Sequence, residues 1–211
     1  LLATRAIPEP ASRIIDPCCG DGVLLSAAWD RLIRLGVNGG DALSAVAGIE
    51  ADVLSASLAC IRLALKQPST LTPEPPVFIA WGDMFAAAET IRDAQVVLMN
   101  PPFKRYEAQD ATPVPLPLRE HYEQAISELS DSPPTSTGGQ PNLYNFYVEF
   151  IGKAVAADAR LAIILDNRWY HSEYGTSLRE FLLENFAIEA IVTYPHYVFF
   201  QDWAITTSLL V

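Results

Sequence analysis

Short runs of β-type residues alternate with helical patterns along the 211-residue chain, and this alternation constrains the fold more than any other feature. The β-type runs span residues 13–16, 46–50, 77–81, 95–99, 161–165, 188–193 and 204–211. Apolar spacing predicts helices at Val23–Leu35, Asp52–Lys66, Asn142–Ala157 and Ser177–Asn185. Strands that alternate with helices form βαβ units, in which the strands are parallel. The sequence therefore predicts a single α/β domain with a central, mostly parallel sheet of about seven strands.

The composition excludes several classes of protein. Half of the residues are apolar, enough to build a core, so the chain is not intrinsically disordered. Lys and Arg number 14 against 25 Asp and Glu, and the net charge of −11 excludes nucleic-acid binding by bulk positive charge. No apolar run is long enough to span a membrane, and the first residues lack the basic start and apolar run of a signal peptide, so we expect none. We therefore expect a cytoplasmic protein with no membrane partner.

The cysteines and histidines are not arranged as metal ligands. Cys18, Cys19 and Cys60 form no CxxC pair, and the three histidines match no zinc signature. We therefore expect no metal site, and unpaired cysteines agree with a reducing compartment. The chain opens on Leu1 and closes inside an apolar run, so we expect it to be a piece of a longer protein.

Three acidic residues mark the ends of the first three predicted strands. Asp16 opens a glycine-rich turn that reads Asp-Pro-Cys-Cys-Gly-Asp-Gly and ends at Gly22, whereas Glu50 and Asp83 end the second and third strands. Open α/β sheets bind nucleotides at this edge, although the turn is not the GxGxxG fingerprint of dinucleotide sites. Each feature alone is also typical of an ordinary βα turn or a solvated acid. Together they offer acceptors for an amino group, a ribose and an adenine amine.

The sequence Asn100-Pro101-Pro102-Phe103 follows the fourth predicted strand. A planar exocyclic amine is a poor nucleophile, because its lone pair is delocalised into the ring. Two adjacent carbonyl acceptors, the Asn100 side chain and the Pro101 backbone, can bind both of its N–H groups. The prolines fix the backbone, and Phe103 supplies a face on which a flipped base can stack. This arrangement is typical of methyl transfer to an amine.

The chain resembles the S-adenosylmethionine-dependent adenine-N6 DNA methyltransferases of restriction-modification and phage-defence systems. The turn after the first strand resembles the family's D-P-x-C-G-x-G cofactor loop, and this loop precedes the catalytic tetrapeptide, which is the gamma order of motifs. The resemblance implies a Rossmann-like class I methyltransferase fold, with helices on both faces of the sheet and an antiparallel last strand. It implies S-adenosylmethionine as cofactor, bound by Asp16, Cys18, Gly20, Gly22, Glu50, Asp83 and Met84. The catalytic residues that it implies are Asn100, Pro101, Pro102 and Phe103.

The resemblance continues towards the end of the chain. Residues 142–144 and 161–167 are similar to segments that follow the tetrapeptide in these methylases. Phe199 matches the aromatic residue of a late V-F-P element, whose ring faces the flipped adenine, although Phe200 stands where proline is usual. Residues 104–141 are expected to form a long loop, interrupted by a short helix around Leu118–Leu129.

The resemblance also implies segments that this chain does not contain. A cofactor-closing segment is expected before Leu1, and a target-recognition domain after Val211. We therefore expect DNA to bind mainly through parts outside the chain, with a specificity or nuclease subunit as a further partner. Methylation of guanine N2 in RNA or of a protein glutamine uses the same tetrapeptide and stays an alternative, as does a non-catalytic methylase-like subunit.

Overall fold

A computed structural model gives the fold and describes residues 1–66, 78–103, 116–137, 141–194 and 207–210. The strands are β1 (Ile14–Asp16), β2 (Val46–Glu50), β3 (Phe78–Trp81), β4 (Val96–Met99), β5 (Arg160–Asp166), β6 (Ile191–Tyr194) and β7 (Thr207–Leu210). The α-helices are α1 (Leu2–Ala6), α2 (Val23–Arg34), α3 (Gly39–Ser44), α4 (Val53–Ala64), α5 (Ala88–Arg92), α6 (Leu116–Ser130), α7 (Leu143–Ala154), α8 (Arg168–His171) and α9 (Thr176–Asn185). Within the described residues, no helix has the length and apolar character needed to cross a membrane.

Five strands pair in parallel in the order β3-β2-β1-β4-β5. The sheet order continues β5-β7-β6, and β6 pairs antiparallel with β7. All residues of β1 and β4 are buried, as expected for central strands of a parallel sheet. The predicted α/β fold with a mostly parallel sheet is confirmed, and so is the antiparallel pairing near the end of the chain.

The chain divides into two compact units, and the single methyltransferase domain expected from the sequence stays a prediction. The first unit contains Leu1–Asn100 and Val155–Ile163, and the second contains Pro101–Ala154 and Ile164–Leu210. The boundary therefore falls inside the Asn-Pro-Pro-Phe sequence and again inside β5.

The helices of the first unit follow the predicted apolar pattern. In α2, Leu25, Ala28 and Leu32 are buried, and these are three of the residues that share one helical face. Helix α4 begins one residue after the prediction, because Asp52 is its N-cap and accepts a hydrogen bond from the backbone N–H of Ser55 (2.8 Å). The two helices end at Arg34 and Ala64, within two residues of the predicted ends.

In the second unit the helix predicted around Leu118–Leu129 is confirmed as α6, which is longer by three residues. Its Tyr122 packs against Phe146 of α7 at 5.8 Å between ring centroids. After α6, Ser136 and Thr137 are buried, although they lie in the segment predicted to be a long loop. The reason is tertiary, because α7 supplies hydrogen-bond partners for this segment.

Glu149 of α7 holds the segment in place. Its carboxylate is fully buried and accepts hydrogen bonds from the backbone N–H groups of Thr135 (2.8 Å) and Ser136 (2.7 Å), with Lys153 Nζ at 3.0 Å. Burial raises the pKa of Glu149, but the hydrogen bonds from Ser136, Thr135 and Lys153 outweigh it, so this pKa lies below its usual value. Glu149 is therefore ionised at neutral pH and stabilises the unit.

We expect Glu149→Gln to lower the free energy of unfolding by about 3–5 kcal/mol, the cost of breaking a buried ion pair by changing one partner. Glutamine would turn an N–H donor toward a backbone N–H donor and leave the Lys153 charge unpaired. Because the pKa of Glu149 is lowered by folding, its contribution is present at neutral pH and is lost as the pH falls through that pKa. Urea unfolding at pH 7 measures the loss of unfolding free energy, with a change at the exposed Glu180, Glu180→Gln, as control. Equal losses in the two variants would show that the buried Glu149 carboxylate does not stabilise the unit.

Candidate active site

The turn after β1 is tied to β2 by backbone hydrogen bonds. The N–H of Cys19 donates to the carbonyl of Ile49 (3.0 Å), and the N–H of Gly22 donates to the carbonyl of Cys19 (2.8 Å). At the start of the turn, Asp16 Oδ1 accepts a hydrogen bond from the N–H of Cys18 (3.2 Å). The turn is thus a fixed part of the sheet edge.

Two glycines in this turn have positive φ angles, which disfavour other residues. At Gly22 (φ +80°) a Cβ would lie 3.0 Å from Cβ of Ala59, so the start of α2 packs directly on α4. At Gly20 (φ +53°) a Cβ would meet no atom within 4 Å. Gly22 therefore allows α2 to pack closely on α4, whereas Gly20 borders open space.

Glu50 joins the turn to the end of β2. Its Oε2 accepts a hydrogen bond from the N–H of Gly20 (2.8 Å), and its Oε1 accepts one from the N–H of Asp52 (2.8 Å). The side chain is half-buried, and each carboxylate oxygen can accept a further hydrogen bond. Glu50 therefore has a fixed orientation and remaining acceptor capacity.

Asp83 and Met84 follow β3, which is the neighbour of β2. Asp83 is exposed, and its Oδ1 accepts a hydrogen bond from the N–H of Phe85 (3.0 Å) at the start of a single 3₁₀ turn. The Met84 side chain is buried. In the parallel register Asp16 lies opposite Gly48 and Glu50 opposite Trp81, so the three predicted acids stand at one edge of the sheet.

The electrostatics of Asp16 are unusual. The pKa of Asp16 is raised to about 8, chiefly by burial and also by the negative charge of Glu50, although the hydrogen bonds from Cys18 lower it. Burial and then the Asp16 charge also raise the pKa of the Cys18 thiol. Cys18 is therefore a neutral thiol at neutral pH and not a nucleophile.

Asn100 directly follows β4, and its side-chain oxygen is a candidate acceptor for a ligand. Oδ1 of Asn100 is buried and has no hydrogen-bond partner among the described residues. The backbone N–H of Asn100 acts on the Cys18 sulfur and lowers the pKa of that thiol. The structure thus brings the predicted cofactor turn and the predicted catalytic amide together at the ends of β1 and β4.

The rest of the tetrapeptide lies in the second unit. Pro101 is buried, whereas Pro102 and Phe103 are half-buried. The Phe103 ring meets Tyr144 of α7 edge to face, with centroids 6.4 Å apart and planes at 70°. Phe199 lies outside the described residues, and its predicted role stays a prediction.

Sequence reasoning missed a group of buried polar side chains in the second unit. The Tyr144 hydroxyl donates to Asp166 Oδ1 (3.2 Å), and Asp166 also binds Arg168. Asn167 is buried, and its Oδ1 has no partner in the described part of the chain. Two sequence signals pointed to this region: Asp166 and Asn167 follow a predicted strand, as Asn100 does, and residues 142–144 and 161–167 resemble segments of the family.

Family comparison agrees with this arrangement. The whole chain, residues 1–211, matches the family model described as N-6 DNA methylase. The chain belongs to this family. Membership confirms the resemblance drawn from the motifs, with adenine-N6 methylation of DNA as the chemistry of the family and S-adenosylmethionine as its cofactor.

Solved structures of restriction-modification proteins share the fold. The type IIG restriction endonuclease BpuSI aligns with a TM-score of 0.80 at 20% identity, over 99% of this chain and 23% of that one. The type I methyltransferase subunit from Streptococcus thermophilus aligns with a TM-score of 0.66 at 18% identity, over 99% of this chain and 41% of that one. The M protein of the type I enzyme EcoKI aligns with a TM-score of 0.59 at 17% identity, over 99% of this chain and 40% of that one. The chain thus spans less than half the length of each of these three proteins.

The residues at the sheet edge fit S-adenosylmethionine. Open space borders Gly20, the Glu50 carboxylate is oriented and can accept further hydrogen bonds, and buried Asp16 can accept a hydrogen bond from a cationic group. The family's cofactor carries both an ammonium and a sulfonium. No group of described His, Cys, Asp and Glu side chains is arranged to hold a metal ion.

We expect the stability of the cofactor-free protein to fall as the pH rises from about 4 toward 8, in part because of Asp16. The folded protein keeps the Asp16 proton up to a pKa of about 8, whereas the unfolded chain releases it near the ordinary aspartate pKa of 3.8. Asp16→Asn removes this dependence and should therefore gain stability relative to wild type as the pH rises. Urea unfolding at pH 5 and pH 8 measures the difference; parallel profiles for the two proteins would contradict the expectation.

Proposed function

We propose that this chain transfers the methyl group of S-adenosylmethionine to the N6 amine of adenine in DNA, within a restriction-modification or phage-defence system. The observation that carries the proposal is the buried Oδ1 of Asn100 after β4, which has no hydrogen-bond partner within the described part of the chain. A buried acceptor without a partner is costly, and such groups persist where a ligand completes the hydrogen bond.

The adenine amine is the ligand that this acceptor fits. Asn100 Oδ1 and the carbonyl of the adjacent Pro101 would accept its two N–H groups, and the prolines restrict the backbone that carries both acceptors. As the amine nitrogen becomes tetrahedral and positive, these hydrogen bonds strengthen, so they lower the barrier more than they stabilise the ground state. Phe103, and Phe199 on the opposite face, would stack on the flipped base.

The cofactor would lie at the ends of β1, β2 and β3. Glu50 would accept hydrogen bonds from the ribose hydroxyls, Asp83 and Met84 would contact the adenine, and Asp16 with Cys18, Gly20 and Gly22 would surround the methionine part. When bound, S-adenosylmethionine supplies a methyl group that is already activated by its positive sulfur. The work left to the protein is to align the amine and to polarise it.

The wider setting is also a proposal. The proteins with a similar fold are named as restriction enzymes or their modification subunits, which supports DNA as substrate and a nuclease or specificity subunit as partner. The net charge of −11 supports DNA binding through another part of the protein. We also propose that the sheet has the full seven-stranded class I methyltransferase plan with helices on both faces, and that the protein is cytoplasmic.

We expect Glu50→Gln to weaken S-adenosylmethionine binding about tenfold, which corresponds to ~1.4 kcal/mol. An amide cannot accept from Gly20, Asp52 and two ribose hydroxyls together, because one of its ends is a donor. Titration calorimetry measures the dissociation constant, and Glu89→Gln, an exposed change in the same unit, is the control. Equal affinities of wild type and Glu50→Gln for S-adenosylmethionine would show that Glu50 does not contribute to cofactor binding.

We expect Asn100→Ala to lower methyl transfer about 100- to 1,000-fold, the usual cost of losing one preorganised group at a reacting centre. Affinity for S-adenosylmethionine should change little, because Asn100 acts on the amine. The assay follows tritiated methyl transfer to genomic DNA that lacks adenine methylation, and digestion identifies the modified nucleoside.

The exposed Asn185→Ala serves as control for this substitution. Label in RNA guanine or in protein instead of DNA adenine would replace the substrate and leave the amine chemistry in place. Full activity of Asn100→Ala would refute the mechanism. Cofactor binding without transfer to any of these substrates would favour the methylase-like subunit.

A further inference from the structure

We propose that Tyr144 is a positioning residue, which holds the ring of Phe103 in the orientation needed to stack on the target adenine. This inference rests on the proposed function, since it assigns a role in the capture of the flipped base. All the contacts that carry it lie within the second unit.

The first contact is between the two rings. Phe103 and Tyr144 meet at 70° with centroids 6.4 Å apart, which is the T-shaped arrangement that aromatic quadrupoles favour. Phe103 is half-buried, whereas Tyr144 is 1% exposed. The buried Tyr144 ring thus contacts the more exposed Phe103 ring and restricts the orientation of the Phe103 ring plane.

Tyr144 is itself fixed by its hydroxyl. The hydroxyl accepts a hydrogen bond from Asn142 Nδ2 (2.7 Å) and donates one to Asp166 Oδ1 (3.2 Å). Asp166 is 1% exposed, so the bond is a charge-assisted hydrogen bond in a region of low dielectric. Rotation of the Tyr144 ring out of this position would break both hydrogen bonds.

The acceptor at the end of this chain of contacts is also held. Asp166 Oδ2 accepts from Arg168 Nε (3.0 Å) and Nη2 (2.7 Å), and Oδ1 accepts from the Arg168 backbone N–H (3.0 Å). The Asp166 carboxylate therefore has a defined orientation at the end of β5. The end of this strand sets the position of Tyr144, and Tyr144 sets the position of Phe103.

A purely structural role does not require this chemistry. Phenylalanine at position 144 would fill nearly the same volume and would not need a buried carboxylate, whose desolvation opposes folding. What the polar group adds is a defined ring position. Stacking contributes roughly 1–3 kcal/mol per base, and a ring that is already oriented loses less conformational freedom when the base arrives.

The test is a double-mutant cycle between Tyr144→Phe and Phe103→Ala in the full chain. Tyr144→Phe keeps the ring and removes the hydroxyl, so it should lower kcat/KM for DNA about tenfold, mainly by raising KM for DNA, with unchanged affinity for S-adenosylmethionine. If Tyr144 acts through Phe103, the same change should have less than a twofold effect in the Phe103→Ala background.

The matched control is Tyr147→Phe, which removes one hydroxyl three residues further along the same helix. It should leave kcat/KM within twofold of wild type. Asn142→Ala is a milder second variant that removes one hydrogen bond to the Tyr144 hydroxyl, and it should show the same dependence on Phe103. It keeps the test decisive if Tyr144→Phe does not fold.

The outcomes separate the two claims. Whether the wild-type protein transfers a methyl group to N6 of adenine in DNA decides the proposed function. Given that activity, additive losses from Tyr144→Phe and Phe103→Ala would overturn the positioning role. Equal losses from Tyr147→Phe, or a parallel loss of cofactor affinity, would overturn it as well, because each would indicate a general structural effect.

Discussion

The candidate site depends on one carboxylate more than on any other group. Glu50 accepts hydrogen bonds from Gly20 and from Asp52, which lie in turns that follow two different strands of the sheet. These two contacts fix the shape of the turn after β1 relative to the start of α4. Because a flexible turn would lose entropy when it ordered around a ligand, this fixed shape is an advantage for binding. The acid that would meet the ribose is thus also the acid that orders the turn.

The fold and the cofactor edge could be predicted from the sequence, because their signals are local. Strands such as β1 and β4 are continuous apolar runs, and Asp16, Glu50 and Asn100 follow such runs directly. The carboxyl ends of neighbouring parallel strands meet at one edge, so sequence position alone brings these residues together. Their roles in cofactor binding and catalysis stay predictions.

The second unit was less predictable, because its polar contacts join residues far apart in the sequence. Asp166 follows Tyr144 by 22 residues, and neither side chain shows from its neighbours that the two meet. Ser136 has the composition of a mobile loop around it, yet it is buried against Asn145 and Glu149 of α7. Apolar periodicity predicts that α7 is a helix, but it does not predict that Glu149 on this helix is fully buried.

Three carboxylates are buried in the described residues, and they differ in what balances their charge. Glu149 has Lys153 and two backbone N–H groups, and Asp166 has Arg168. Among the described residues, Asp16 has hydrogen bonds from Cys18 and no cation, and its pKa is raised to about 8, chiefly by burial. A buried acid of this kind is stabilised in its ionised form when a cation binds beside it. Since Asp16 lies at the sheet edge that fits S-adenosylmethionine, the missing countercharge is one that a cationic ligand can supply. The lack of a countercharge at Asp16 lowers the stability of the ligand-free protein at neutral pH. The same lack would therefore favour the complex with a cationic ligand.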